Sequence, residues 1–203
     1  NFFKNRFTII ENKAILLPGR KRTGSSGYNR LLFSGTLAES TGVFRAINLA
    51  IQLHQLDPLI QLVIVGYCSK AEQLTGIKSL IANHDFITLV GGDHLVPHQE
   101  IIEWITKSDF GIVSYPHAPH TENSIPTKLY EYLSCQLPLI IQEKPAWRAL
   151  IEPCQAGISI DFPSFDKSDL LEKMKSGTFY SQVPEDTTWD IEARKLLSAL
   201  KAL

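Results

Sequence analysis

The chain has 203 residues, with 20 Lys and Arg against 21 Asp and Glu, a formal charge of −1 and 44% hydrophobic composition. That length fits one large or two small domains with a substantial core, and 12 Gly with 11 Pro excludes collagen-like, linker-like and disordered classes. Apolar runs such as 62–66 and 137–141 hold about five residues where a membrane-spanning helix needs roughly twenty, so no transmembrane helix is expected.

In chain order, the opening NFFKNRFTII lacks the apolar core and small-residue cleavage site of a secretory signal. Residue 1 is Asn and Met174 is the only methionine, so the chain is read as a fragment. Residues 1–29 form a basic lead-in: Lys4, Arg6, Lys13, Arg20, Lys21, Arg22 and the adjoining Arg30 face Glu11 alone, a local +6 that leaves −7 for residues 31–203. The plain reading is a solvated connecting segment, since GRKRTGSSGYN has the composition of a flexible loop; the sharper one is contact with a membrane surface or an anionic ligand. Nucleic acid is disfavoured, because the remainder is acidic and no aromatic residues interleave with cations.

From Arg30 short apolar runs alternate with amphipathic stretches. Strands are predicted at 31–34, 59–65, 86–90, 110–113, 137–141 and 157–160. Helices are predicted from Val43 to the Asp57-Pro58 stop, at 69–82, 97–106 and 126–135, and around 147–151. A closing amphipathic helix over 188–203 puts Trp189, Ala193, Leu196, Leu197, Leu200 and Leu203 on one apolar face. Unalternating apolar strands separated by helices specify an α/β fold with a doubly wound parallel sheet, buried on both faces. Ligands of such sheets settle at the carboxyl ends of the strands, here just after Gly35, Gly66, Gly91 and Ser114. No G-x-G-x-x-G follows the first strand and no G-x-x-x-x-G-K-[ST] occurs, so dinucleotide and P-loop readings are disfavoured.

The informative segment is SYPHAPHTENSIPTKLYEYLSCQLPLII. Pro126 suits the first turn of a helix, and Ile125 before it is pushed towards extended backbone. The free amides of Thr127 and Lys128 then stand at the positive end of the helix dipole, an anion site to which Lys128 adds a full charge. Glu131, one turn deeper than Thr127, suits the vicinal diol of a ribose, because each carboxylate oxygen accepts hydrogen bonds from hydroxyls.

Three segments carry a resemblance: LLFSGTLAESTGVFRAINLA; LVIVG with FITLVGG and SDFGIVSY; and NSIPTKLYEYLSCQLPLII. From Arg30 to the terminus, with TTWDIEARKLLSALK as its closing helix, the chain resembles the C-terminal, donor-binding domain of family 4 (group 1) glycosyltransferases of the GT-B architecture. The resemblance implies residues 30–203 as a Rossmann-like half binding a nucleotide diphosphate sugar. Its partner would be an N-terminal acceptor domain of the same protein. The implied reaction is retaining transfer of a hexosyl-type sugar to a glycan or lipid-linked acceptor, with no cofactor and no obligatory metal; no D-x-D stands at the strand ends.

By the same resemblance Glu131 holds the ribose hydroxyls, Gly91 and Gly92 lie against the nucleobase, and Gly35 lies beneath the diphosphate. The family's first signature glutamate is replaced by Asn123, which can hydrogen-bond sugar hydroxyls but carries no charge. The family's Arg and Lys after the first strand are replaced by Thr36 and Thr41. Missing one positioned donor at a leaving group can lower the rate about a hundred-fold. Lys128 is the first candidate substitute and Arg45 the second, with the hydroxyls of Thr36, Thr41 and Thr127 as neutral donors. Asn123 and Lys128 are thus the candidate catalytic residues, and Ser124 beside Asn123 joins the donor-binding set.

His117 and His120 form an H-x-x-H pair without a third ligand nearby and are read as solvated or substrate-lining. Cys68, Cys135 and Cys154 are odd in number, widely spaced and without C-x-x-C, which favours a reducing, cytosolic setting, with the membrane periphery as its edge. Trp147 and Trp189 are read as packing residues. Two other readings stay open: a degenerate GT-B domain binding nucleotide or a partner without catalysis, supported by Thr36 and Thr41, and a sugar nucleotide epimerase on the same architecture.

Overall fold

A computed structural model describes residues 8–15, 29–119, 121–122, 124–182, 184 and 187–201. Leu31, Leu32 and Phe33 are all fully buried, as a strand with both faces covered requires. They belong to β1 (Arg30–Thr36), which pairs in parallel with β2 (Gln61–Tyr67) and with β4 (Phe110–Val113). Outside these lie β3 (Ile87–Gly92), β5 (Leu139–Gln142) and β6 (Gly157–Ile160), completing a six-stranded parallel sheet in the order β3-β2-β1-β4-β5-β6. The chain winds outward from β1 to β3, then returns beside β1 and winds the other way. The switch point therefore lies between β1 and β4, where ligands of open parallel sheets bind.

Helices cover both faces. Leu31 and Phe33 pack with α1 (Val43–Leu56), α2 (Ala71–Ile81) and α6 (Lys167–Ser176). Leu32 and Val113 pack with α3 (His98–Lys107), α4 (Thr127–Ser134) and α5 (Pro145–Ile151).

Every expected strand is present, with three differences in the elements. The second strand begins at Gln61, because Asp57 Oδ1 accepts from the Leu59 amide at 3.0 Å and holds a turn. The fifth begins at Leu139, because Gln136 turns the chain at φ 52° and Pro138 has no amide hydrogen to give a ladder. Helix α6 has no counterpart in the sequence reading; Asp166 caps it by accepting from Ser168 and Asp169 amides, and Leu170 and Met174 bury its inner face.

The described parts of the two chain ends are tied to each other. Residues 19–28, on which the linker reading rests, lie outside the described residues; ahead of them the Lys13 side chain is buried, and its Nζ lies 2.8 Å from Glu192 Oε1 and 3.3 Å from Glu11 Oε2. Lys4, Arg6, Arg20, Lys21 and Arg22 lie outside the described residues. The closing helix, α7 (Trp189–Lys201), turns Glu192 inward onto Lys13, while Trp189, Leu196, Leu197 and Leu200 are exposed. Burial pushes the Glu192 carboxyl up, but hydrogen bonds from Lys13, Lys195 and the Glu11 amide outweigh it and hold the pKa down to about 2. Ala14 bridges to Thr188 and accepts from the Trp189 amide at 2.7 Å, tying the lead-in to α7.

At the carboxyl edge of the sheet, Gly66 has φ 154°, and a Cβ there would stand 1.8 Å from the Gly35 carbonyl oxygen. Gly66→Ala must therefore separate the ends of β1 and β2. The expected loss is about 3 kcal/mol, read as a lower urea midpoint at unchanged slope; a loss below about 1 kcal/mol would contradict this packing.

Candidate donor-binding site at the switch point

A pocket of about 460 Å³ opens beside β1 and α4, lined by Ser34, Gly35, Thr36, Tyr115, Ser124, Thr127, Lys128 and Glu131, with Asn12, Ile101, Ile125 and Pro126. The tertiary structure thus unites six of the expected donor residues with Tyr115, which follows β4. Pro126 stands just outside α4 as its cap, at φ −70° and ψ 141°, and its carbonyl accepts from the Leu129 amide at 2.9 Å. The amides of Thr127 and Lys128 precede that bond and have no acceptor within the helix. They form the positive end of its dipole.

Lys128 dominates the electrostatics. Its side chain is buried, and its Nζ has no hydrogen-bond partner among the described residues. The ammonium lies 4.1 Å from the Phe33 ring centroid and 5.3 Å from that of Tyr115. Ring faces attract a cation but do not replace its lost hydration. Gly35, at φ 102°, lets β1 turn close beside it: a Cβ there would stand 3.5 Å from Nζ. Burial brings the Lys128 pKa from its ordinary 10.5 down to about 7, with the Glu131 carboxylate opposing the shift.

One turn deeper, Glu131 Oε1 lies 3.0 Å from Nε2 of His98, at the start of α3. Behind it the Tyr132 hydroxyl meets Ser34 Oγ at 2.7 Å and accepts from the Ser34 amide at 3.1 Å, locking α4 against β1. Asn12 of the lead-in donates to Thr127 Oγ1 at 2.7 Å. The Tyr130 hydroxyl of α4 reaches Glu11 Oε1 at 3.3 Å.

Other expected residues stand elsewhere. The Thr41 hydroxyl is committed to its own turn, donating to the carbonyls of Thr36 at 2.7 Å and Ala38 at 2.9 Å. Arg45 is turned away onto Gln142 Oε1 at 2.8 Å. Gly91 and Gly92 end β3, paired with Gly66 and Tyr67 on the same carboxyl edge but two strands from Gly35. Asn123 and His120 lie outside the described residues. His117 contacts Glu122 through Nδ1 at 3.0 Å and Gln142 Nε2 through Nε2 at 3.1 Å. Among the described residues no three His, Cys, Asp or Glu side chains are grouped to hold a metal. Cys68, Cys135 and Cys154 are buried free thiols, and Trp147 is fully buried while Trp189 is partly exposed.

Sequence reasoning missed Asn12, His98 and Tyr115. Tyr115 carried a signal, since it follows Ser114 at a strand's carboxyl end. Asn12 and His98 reach the site only through tertiary packing.

This doubly wound sheet, with an anion-ready helix at its switch point, is a Rossmann-like domain of the GT-B glycosyltransferase architecture. Residues 19–177 match the family of glycosyl transferases group 1, and the chain belongs to that family. Its fold is similar to that of AviGT4, a glycosyltransferase involved in avilamycin A biosynthesis, with TM-score 0.70 and 13% identity over 98% of this chain and 59% of that one. It is also similar to the C-terminal domain of a group 1 glycosyl transferase, LpcC, from Francisella tularensis, with TM-score 0.54 and 18% identity over 72% of this chain and 73% of that one. The pneumococcal O-GlcNAc transferase GtfA, in complex with UDP and GlcNAc, gives TM-score 0.52 and 20% identity over 96% of this chain and 35% of that one. At these identities the likeness is one of fold, and the chain spans 59% of AviGT4 and 35% of GtfA. No curated protein matches it significantly.

The buried lysine gives a stability prediction whose sign follows from proton linkage. Below pH 7 Lys128 is charged in both the folded and unfolded chain, and the full burial penalty applies. Between about 7 and 10.5 the unfolded chain binds a proton that the folded one does not, so this group makes stability rise with pH. Lys128→Met should therefore raise the Tm at pH 6.5, and the gain over wild type should shrink towards pH 10. A gain independent of pH, measured by thermal unfolding across that range, would contradict the assignment.

Proposed function

We propose that this chain is the donor-binding half of a glycosyltransferase and holds a nucleotide diphosphate sugar at the β1–α4 pocket. The observation that carries this reading is the buried ammonium of Lys128 at a helix N-terminus, without a hydrogen-bond partner among the described residues. A diphosphate supplies the missing counter-charge and accepts from the Thr127 and Lys128 amides as well. Glu131, oriented by His98, accepts from the ribose hydroxyls. Gly91 and Gly92, further along the same edge, leave backbone for the nucleobase to lie against.

In the reaction proposed, the bond between the anomeric carbon and the diphosphate oxygen breaks and the diphosphate leaves with the electron pair. A hydroxyl of a glycan or lipid-linked acceptor forms the new bond and passes its proton to the departing diphosphate, with retention at the anomeric carbon and no obligatory metal. Lys128 and the α4 dipole meet the charge that grows on the leaving group, the task that the resemblance gives to cations at positions 36 and 41. Asn123 would face the sugar hydroxyls. The acceptor site would belong to an N-terminal domain of the same protein, leaving this chain able to bind donor but not to turn it over alone. The three buried free thiols support a reducing, cytosolic compartment. No described helix is long and apolar enough to cross a membrane.

UDP, present in the GtfA complex, is the first nucleotide to test, followed by GDP and ADP. Lys128→Ala is expected to weaken nucleoside diphosphate binding by about 1 to 3 kcal/mol in calorimetry. Glu131→Gln should abolish the preference for a ribose nucleotide over its 2′,3′-dideoxy analogue. Unchanged affinity in the first variant removes the diphosphate role, and an unchanged preference in the second removes the diol role.

A further inference from the structure

Two lysines are buried near the pocket, and they differ in one respect. Lys128 has no partner among the described residues, whereas Lys144, fully buried at the cap of α5, has a complete set. Lys144 Nζ donates to the carbonyls of Pro116 at 3.3 Å and Thr121 at 3.2 Å and to Thr121 Oγ1 at 3.3 Å. The Glu122 carboxylate stands 3.7 Å away and the Trp147 ring centroid 4.9 Å. Three residues on, the Trp147 indole N–H donates to the Ser124 carbonyl at 2.8 Å.

All these acceptors belong to the segment between β4 and α4, whose described residues form no strand or helix to satisfy their carbonyls. Trp147 also meets the Tyr115 ring edge-on, with centroids 5.9 Å apart and planes at 86°. Tyr115 is one of the two rings beside the Lys128 ammonium, and Ser124 lines the pocket. Neither lines that pocket: Trp147 holds two of its walls, Tyr115 and Ser124, from behind, and Lys144 holds Pro116 and Thr121 in the same segment.

We propose that Lys144 and Trp147 are positioning residues for the donor pocket, fixing the backbone at Pro116, Thr121 and Ser124 and seating Tyr115 before the ligand arrives. The proposal rests on the donor-binding reading. It adds that the pocket is organised in advance by a cation and an indole from α5, so that binding need not order an irregular segment. It also separates Lys144, which anchors the fold, from Lys128, which awaits the ligand.

The test compares wild type, Lys144→Met, which keeps the side-chain length without the charge, and Trp147→Phe, which keeps a ring without the N–H. For each, the Tm is measured, and UDP, GDP and ADP affinities are measured by calorimetry at a temperature where the protein is folded. Expected is an affinity about ten-fold weaker in Lys144→Met and about three- to ten-fold weaker in Trp147→Phe, beyond any change in Tm. A purely structural role moves the Tm and leaves the affinity of the folded protein unchanged, which would overturn the proposal. If Lys144→Met fails to fold, Trp147→Phe decides by the same criterion. Wild-type protein that binds none of the three nucleotides removes the donor reading, and this inference with it.

Discussion

The structure turns on a buried ammonium group that has no hydrogen-bond partner among the described residues. Lys128 sits at the start of α4, whose free amides already make that point positive, so the helix raises the cost of burying the charge. Three features bring Lys128 to that place. Pro126 stops the preceding backbone from joining the helix, Gly35 bends β1 close beside the ammonium, and the Tyr132–Ser34 contact clamps helix to strand. Such an arrangement destabilises the empty protein and favours any anion that fits, the sense in which binding sites commonly trade stability for function.

The remaining polar groups can be ordered by how completely they are paired. Lys13 and Glu192 form a buried pair with further hydrogen bonds at Glu192, which joins the lead-in to α7. A buried pair of this kind is weak evidence for added stability, but loss of either member would strand the other's charge. From the same segment Glu11 and Asn12 reach α4, so chain preceding the first strand contacts the pocket's helix directly. Lys144 is satisfied by carbonyls, whereas Lys128 Nζ has no hydrogen-bond partner among the described residues. The group left open lies at the switch point of the sheet.

Much of the fold was legible because buried parallel strands need unbroken apolar runs, and those at 31–33 and 62–65 are bounded by polar or glycine residues. The start of α4 was legible from Pro126, and Glu131 from its spacing to Thr127. Helix α6 was not, since its inner face has little beyond Leu170 and Met174 and its signal is the Asp166 cap. Helix α7 was legible from its apolar stripe, but nothing local showed that a carboxylate with donors from Lys13, Lys195 and the Glu11 amide would occupy its inner side. Arg45 and Thr41 show the limit of spacing arguments. Arg45 of α1 was the second candidate cation, yet Gln142 of β5 captures its guanidinium. His98 and Asn12 had no local pattern, because only tertiary packing brings them to the site.

The central claim is that the Lys128 ammonium is the waiting partner of a diphosphate. At pH 8, above its pKa of about 7, the lysine is largely neutral when the pocket is empty and must gain a proton to meet the anion. Calorimetric titration with UDP in buffers of different ionisation enthalpy reads that proton directly. Uptake of close to one proton by the wild type, lost in Lys128→Met, is the result expected. Binding by the wild type with no net proton uptake, or with uptake unchanged in Lys128→Met, would contradict it.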